Sequence, residues 1–399
     1  MMFLVKRTLQ SVRSMVSAED KLASEGIINH LAQVRARRGF AAAYLADKIG
    51  VSRQTIYAIE AGTYVPNTAV SLKLARILET TVEDIFQLEP EERAPDQISN
   101  VIVLGNLDTM APGLPLRLCE VDGHLVAVAP EPGGWGLPSS DAILLSPILG
   151  VKRNANAKVQ ILGDGWKRSP RILIAGCDPS AAILAHSLQP LGCELVIAYE
   201  NSSRSLQLLH KNFVHIAGSH LEEKINGKTD ILPMTKMFSR NSIVVVSYAV
   251  WQEGLVTLPG NPKGIFGIGD LARKDVKITN REPGAGCRRL LDDLLRKHEI
   301  AGTQVKGYDR VTAGHLPAAR LVRSGEVDCC ISTEAVARAL GLDFIPLAEK
   351  PYHLFIRRKY LELAPVQTLI EILGRASFRR EVEACTGYKM STSGDILFG

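Results

Sequence analysis

The stretch from residue 42 to residue 62 constrains this chain more than any other, because it holds two short amphipathic segments, 42–49 and 53–61, joined by Gly50, Val51 and Ser52. Gly50 breaks the first segment, and the Ser52 hydroxyl is placed to cap the second. Ile56 and Ile59 then point inward before Gly62 stops the run. Two short helices joined by a tight glycine-containing turn make a helix-turn-helix. A preceding helix is expected from the spacing of Ile28, Leu31 and Val34, ending at Gly39. Two more are expected over 69–78 and 82–88, the last capped by Thr80 or Thr81. Residues 27–89 therefore read as one small all-α domain.

Charge and size set the context. Between Ile27 and Glu60 the basic residues are Arg35, Arg37, Arg38, Lys48 and Arg53, against Asp47 and Glu60 as the acidic ones, a balance that suits a phosphate-facing surface or a solvated helix face. The net charge of +5 over 399 residues does not itself identify a polyanion partner. The length exceeds the roughly 250–300 residues at which single cores stop growing, so at least two domains are expected. No stretch reaches the roughly 18 consecutive apolar residues of a membrane span. The 7 cysteines are scattered and include no Cys-x-x-Cys pair, which argues for a reducing, cytoplasmic setting and against a zinc or disulfide framework. Cys329 and Cys330 read as small buried strand residues. Residues 1–26 have no long apolar core of the secretory kind and read as an extension.

Residues 89–96, Glu89-Pro90-Glu91-Glu92-Arg93-Ala94-Pro95-Asp96, are polar, proline-bearing and free of periodicity, the mark of a domain boundary. The linker and a small β-rich segment are expected over 90–165, with extended runs at 101–104, 116–121, 125–128 and 142–149. Asp122-Gly123 is a hairpin signal, and the loop 130–138 is rich in proline and glycine. From residue 166 the pattern changes to alternation. A buried strand over 171–176 is followed by Asp178-Pro179 as a helix start, a helix to Leu191, a strand over 194–199, a helix over 202–212 and a strand over 213–217. This order predicts an α/β domain with a parallel sheet, whose ligands bind at the carboxyl ends of its strands.

Four places at such ends carry polar residues beside free backbone amides. They are Asp178 and Ser180; Gly218 with Ser219 and His220; Arg281 with Gly284, Ala285, Gly286, Cys287 and Arg288; and Thr312 with His315. The third opens a helix, where amides and dipole attract an anion. Arg288 has an alternative in an ion pair with Asp292 one turn on, and Asp328 reads as a turn or interlobe residue. No Walker loop, nucleophile elbow or zinc-protease helix is present, so no catalytic residue, cofactor or metal ligand is assigned.

Leu45-Ala46-Asp47-Lys48-Ile49-Gly50-Val51-Ser52-Arg53-Gln54-Thr55-Ile56-Tyr57, continuing through Glu60-Ala61-Gly62, Pro66 and Asp84-Ile85-Phe86, resembles the Cro/repressor (XRE) class of DNA-binding domains. The resemblance implies that the second helix of the pair enters the major groove. Arg53, Gln54 and Thr55 would then stand at base edges, Tyr57 at a base or phosphate, and Arg38 and Lys48 on the phosphate backbone, with Glu60 facing helix partners. The class usually has a phosphate-contacting Gln where this chain has Ala42. Residues 281–396 resemble the periplasmic-binding-protein-like domain found fused to helix-turn-helix domains and related to molybdate-binding proteins. The likeness runs through Arg281, Gly284-Ala285-Gly286-Cys287-Arg288, Gly307-Tyr308, Thr312, His315, Ser324-Gly325-Glu326-Val327-Asp328, Tyr352 and Thr386-Gly387-Tyr388. That family often has Gly-Ser-Gly-Thr-Arg at 284–288, so two hydroxyls are replaced here. The resemblance implies a two-lobed α/β domain closing on a small molecule or an oxyanion such as molybdate or tungstate. The expectation is a multidomain, cytoplasmic, non-enzymatic DNA-binding regulator acting as a homodimer on double-stranded DNA. An enzyme with an autoregulatory DNA-binding domain, or a constitutive DNA binder whose C-terminal domain dimerises, stays open as an alternative.

Overall fold

The computed structural model describes residues 27–88, 97–129, 139–220, 223–225, 228–230, 237–239 and 241–398. The extension 1–26, the linker 89–96 and the loop 130–138 with Trp135 lie outside the described residues. The chain divides into two compact units, 1–94 and 95–399.

The first unit runs β1 (Ile27–Asn29), α1 (Leu31–Arg37), α2 (Ala42–Ile49), α3 (Arg53–Glu60), α4 (Thr68–Ile77), α5 (Val82–Ile85) and β2 (Phe86–Leu88). The starts of α3, α4 and α5 each have a local cause. Ser52 Oγ accepts from the Thr55 amide at 3.0 Å, Asn67 Oδ1 accepts from the Val70 amide at 3.0 Å, and Thr81 forms a capping box with Asp84. Gly50 takes φ 80°, the left-handed conformation that ends α2 and makes the tight turn. Leu31, Leu45, Ile56, Ile59, Leu74, Leu78 and Ile85 are fully buried and form one core.

Two expectations are corrected at the ends of this unit. Ile28 does not begin a helix, and the last helix stops at Ile85. The segments on either side pair instead as antiparallel strands, Ile27 opposite Leu88 and Asn29 opposite Phe86. Asn29 Oδ1 accepts from the Leu31 amide at 2.9 Å, and its amide nitrogen donates to the Ile59 carbonyl. The polar side chain thus ends the strand and seats α1, a tertiary arrangement that apolar spacing over so short a run cannot report.

The second unit opens with a closed barrel of β3 (Gln97–Met110), β4 (Pro115–Val121), β5 (His124–Val128), β6 (Ala142–Leu144) and β7 (Ile148–Ile161), in the order β3-β5-β4-β6-β7. The β4–β5 hairpin turns at Asp122 and Gly123, with φ 52° and 76°, both positive as a two-residue type I′ turn requires. Val101, Val103, Leu116, Leu118, Leu144 and Val159 fill the barrel. An ionic cluster fastens the barrel to the next two strands of the chain, which begin at Arg171 and Glu194. Asp141 takes Arg117 at 3.1 Å and Arg171 at 2.6 Å, while Glu194 takes Arg171 at 2.6 Å and Arg117 as well.

Beyond the barrel the chain continues as β8 (Arg171–Gly176), α6 (Ala181–Leu188), β9 (Glu194–Tyr199), α7 (Ser202–His210), β10 (Ile216–Ser219), a small hairpin of β11 (Glu223–Ile225) and β12 (Lys228–Asp230), β13 (Ile243–Thr257), β14 (Ile278–Arg281), α8 (Gly286–Lys297), β15 (Val311–Thr312), α9 (His315–Arg323), β16 (Cys329–Thr333), α10 (Glu334–Ala339), β17 (Asp343–Arg357), α11 (Ala364–Gly374), α12 (Ala376–Glu383), β18 (Tyr388–Lys389) and β19 (Ile396–Phe398). The expected parallel sheet is found only in part. β8 pairs in parallel with β9 and β10, and β14 with β15 and β16. Between these two groups run β13 and β17, which pair antiparallel with each other along their whole length. The first group and the first half of β13 build one apolar core; the second group, with Leu255 and Val256 near the end of β13, builds two more. Two lobes thus share a pair of crossing strands. A strand buried on both faces shows no alternation, so its partner and direction are not written in its own pattern.

Candidate functional site

Helix α3 offers the first candidate surface. Ile56 and Ile59 point into the core, so Arg53, Gln54 and Tyr57 are exposed and Thr55 is half-buried at the helix start. Arg53 Nη2 donates to Tyr57 Oη at 3.1 Å and its guanidinium lies over the Tyr57 ring, 5.5 Å from the centroid. Thr55 Oγ1 lies 2.8 Å from Ser52 Oγ. The first turn of α3 therefore presents exposed polar side chains of the types that can bond base edges, on a helix whose other face is anchored. Lys48, at the end of α2, is also exposed, with its ammonium 5.7 Å from the Tyr44 ring centre. Arg38, the other expected phosphate anchor, is exposed and holds a surface partner. It donates to Glu79 Oε2 at 3.2 Å and to the Glu79 carbonyl at 2.8 Å. Glu60 pairs with Arg35 at 2.5 Å inside the unit. Exposed Tyr44, stacked on Phe40 at 5.1 Å between centroids, was missed by sequence reasoning, since the core stripe gives no sign of which aromatic stays outside.

The second candidate is a cleft of about 400 Å³ between the two lobes, at the carboxyl ends of β8, β9 and β14 and the start of α9. Of the expected ligand residues, Arg281 and His315 line it. Arg281 ends β14 and is only 3% exposed. Its Nε and Nη2 donate to Glu282 at 3.0 and 3.2 Å, and its Nη1 has no hydrogen-bond partner among the described residues. Burial works against its charge, but the adjacent Glu282 carboxylate outweighs this and holds the guanidinium firmly protonated. His315 begins α9 behind Gly314, which adopts φ 87°. Burial first, then the charges of Arg281 and His220, push its pKa well below the ordinary value, so the ring is neutral; its Nε2 has no partner among the described residues. The first lobe contributes Cys177, Pro179, Asn201 and Arg204, none expected from the sequence. Arg204 Nη2 also donates to Asn154 Oδ1 of β7 at 2.8 Å, so a cleft residue is tied directly to the barrel.

The other expected ligand residues are placed away from the cleft lining. Asp178 is buried, accepting from Tyr388 Oη at 2.6 Å and from the Ser180 hydroxyl at 2.7 Å, and Ser180 Oγ lies 2.7 Å from Tyr248 Oη. This chain of hydroxyls fastens β8 to the C-terminal segment. Tyr352 lies inside the first lobe, where a Cβ on Gly176 would fall 2.3 Å from its hydroxyl. Ser219 is buried in β10. Thr312 Oγ1 is 2.7 Å from Thr279 Oγ1. Arg288 donates to the Arg281 carbonyl at 3.1 Å, covers the Tyr308 ring and faces Asp292 at 3.9 Å, the alternative its spacing allowed. Gly284 accepts at its carbonyl from the Ser203 amide at 3.4 Å, a contact between lobes, and Ala285 is the N-cap of α8. Gly286 has no room for a side chain, since a Cβ would lie 2.3 Å from the His220 ring. Cys287 and His220 lie behind the cleft. Cys287 Sγ is 3.8 Å from His315 Nδ1, and His220 Nδ1 is 2.9 Å from Glu253 Oε1. Burial disfavours the charge of His220, but Glu253 outweighs this and raises its pKa to about 10. Asp328 ties β14 to β16 by accepting from the Lys277 amide at 2.8 Å.

Comparisons with known proteins agree with this division. Residues 31–85 match a helix-turn-helix family and residues 184–374 a PBP superfamily domain. The chain is 41% identical over 63 residues, 16% of its length and 96% of the relative's, to the uncharacterized HTH-type transcriptional regulator YgzD of Bacillus subtilis. It is 29% identical over 229 residues, 57% of its length and 74% of the relative's, to the uncharacterized protein YvgK of Bacillus subtilis. Among solved structures, the sulfate-binding protein SubI of Mycobacterium tuberculosis aligns over 55% of this chain and 86% of its own, at 15% identity and a TM-score of 0.41. No helix among the described residues is long and apolar enough to cross a membrane. The chain belongs to the XRE-type helix-turn-helix DNA-binding regulators, with a PBP-like ligand-binding domain as its C-terminal part.

Proposed function

We propose that this chain is a cytoplasmic transcription regulator whose affinity for operator DNA is set by a small molecule bearing an anionic group, held in the lobe cleft by Arg281 and His315. The observation that carries this reading is the Arg281 guanidinium. It is buried at the cleft wall with Nη1 lacking a partner among the described residues. An unsatisfied buried cationic donor is costly, and an anionic ligand that accepts from it removes that cost. The neutral His315 imidazole adds a second ring nitrogen, and the first turn of α9 adds free amides. A cleft of about 400 Å³ suits an organic anion better than a bare tetrahedral oxyanion, and apolar Pro179, Leu316 and Pro317 line part of it.

Ligand closing the lobes would shift Arg204, and with it Asn154 of the barrel, which follows the linker to the helix-turn-helix. Arg53, Gln54, Thr55 and Tyr57 would read the operator, with Lys48 on phosphate. Two copies would read a two-fold site, the usual way such a helix gains specificity. The test is a titration of promoter DNA upstream of the gene at fixed salt, with small organic acids in one arm and molybdate, tungstate, sulfate and phosphate in the other. Native mass spectrometry reports the mass of any retained ligand and the subunit count. A DNA affinity unchanged by every ligand, with no retained mass in the chain, would leave a constitutive DNA binder.

A further inference from the structure

Behind the ligand cleft, three side chains of metal-binding type meet from three elements: Glu253 on β13, Cys287 in the first turn of α8 and His315 at the start of α9. One donor atom of each lies within 4.8 Å of the others, and all three residues are buried. The sulfur–nitrogen separation suits one ion. Zinc binds thiolate sulfur at about 2.3 Å and imidazole nitrogen at about 2.0–2.1 Å, so two such ligands in a tetrahedron stand about 3.6 Å apart; Cys287 Sγ and His315 Nδ1 stand 3.8 Å apart. Thiol, imidazole and carboxylate together are a donor set for zinc and its neighbours rather than for calcium or magnesium. The outer contacts are of the supporting kind as well. His220 Nδ1, 2.9 Å from Glu253 Oε1, orients the carboxylate from behind, and Gly286 leaves room for that ring.

We infer that Glu253, Cys287 and His315 form a binding site for a zinc-type divalent ion, with a fourth position left for water or ligand. Binding would take the proton from the Cys287 thiol and release it to solvent. Coordination through Nδ1 would leave the proton of His315 on Nε2 and make the ring a fixed donor at the cleft wall. Glu253 precedes Gly254, where the β13–β17 register shifts, so the ion would also clamp a crossing strand to the second lobe. The site does not depend on the anionic-ligand reading, because its test reads metal and not ligand or DNA.

The experiment is a cobalt(II) titration of the full chain after chelator treatment, followed by absorbance. The expected result is a thiolate-to-cobalt charge-transfer band and tetrahedral d–d bands that saturate at one ion per chain and are displaced by zinc. Cys287→Ser should abolish the charge-transfer band, and His220→Ala should weaken cobalt binding roughly 10–100-fold, as loss of an outer partner does. Cys193→Ser, whose thiol donates to the Leu191 carbonyl at 3.8 Å in the first lobe, should leave the spectrum unchanged. Circular dichroism of each variant reports folding, and the parent chain alone decides the matter if a variant does not fold. No thiolate band in the folded parent chain overturns the inference. So does a band that survives Cys287→Ser and disappears with Cys385→Ser, the exposed cysteine.

Discussion

Arg53 and Arg281 are the two arginines that the proposed function sets against an anion, and their surroundings are opposite. Arg53 is exposed at the start of α3, where its guanidinium donates to Tyr57 on the next turn. Arg281 is enclosed at the lobe cleft, with a carboxylate on one side and, on the other, a nitrogen that has no partner among the described residues. An exposed arginine contributes little to the fold, so its worth is realised only when a phosphate or base edge arrives. A buried one bears a desolvation cost whether or not ligand is present, so it couples ligand binding to folding. The DNA face should therefore tolerate substitution without loss of stability, and the cleft should not.

The largest effect is expected at Arg281. Arg281→Ala leaves Glu282, whose side chain is 20% exposed, without its partner, and should cost about 3 kcal/mol in urea unfolding. Arg281→Lys keeps a charge and loses the two-pronged geometry, so it should fold and lose the ligand-induced rise in Tm. Ligand-induced stabilisation that persists in the lysine variant would mean that the cleft is read by other groups. Next is Gly176→Ala. The added carbon would meet Tyr352 Oη at 2.3 Å and nothing else closer than 3.6 Å, an overpacking expected to cost about 1–3 kcal/mol. Adding Tyr352→Phe removes the offending oxygen and should restore most of the loss. A double variant as unstable as the single one would place the strain in the backbone.

The contrast between the two regions also governs what could be read from the chain alone. α3 is specified within one short stretch, by Gly50, Ser52, the Ile56 and Ile59 pair and Gly62. Its exposed face is what remains when the core stripe is removed. Cleft residues come from positions between 105 and 317, and only strand order decides which of them face each other. Arg281 and His315 could be picked out because each stands where a strand or loop passes into a helix. Asp178 and Ser180 stand at an equivalent place and turn inward, because Tyr248 and Tyr388 reach them from remote segments. Arg204 and Glu253 carry no local mark. Arg204 lies inside a helix and Glu253 inside a long strand, and each becomes notable only through a partner far along the chain, Asn154 for the first and His220 for the second.

The smaller effects belong to the exposed helix. Arg53→Ala should weaken operator binding by about 1–3 kcal/mol, the worth of one bidentate base contact, with the urea midpoint unchanged. Measured at constant salt against an operator and an unrelated duplex, the loss should fall on the operator alone; an equal loss on both would make Arg53 a phosphate contact. Smallest is Ser52→Ala, which removes the acceptor of the Thr55 amide and should cost the helical unit about 1 kcal/mol. Two replacements separate the cap from the DNA contact. Asn caps about as well as Ser and should restore both stability and DNA affinity. Asp caps equally well but brings a negative charge to the helix start that, on the proposed function, approaches the phosphates, so stability should return while DNA affinity falls. If Asp restored both, the start of α3 would not approach the duplex, and the exposed arginine beside it would lose its assigned role.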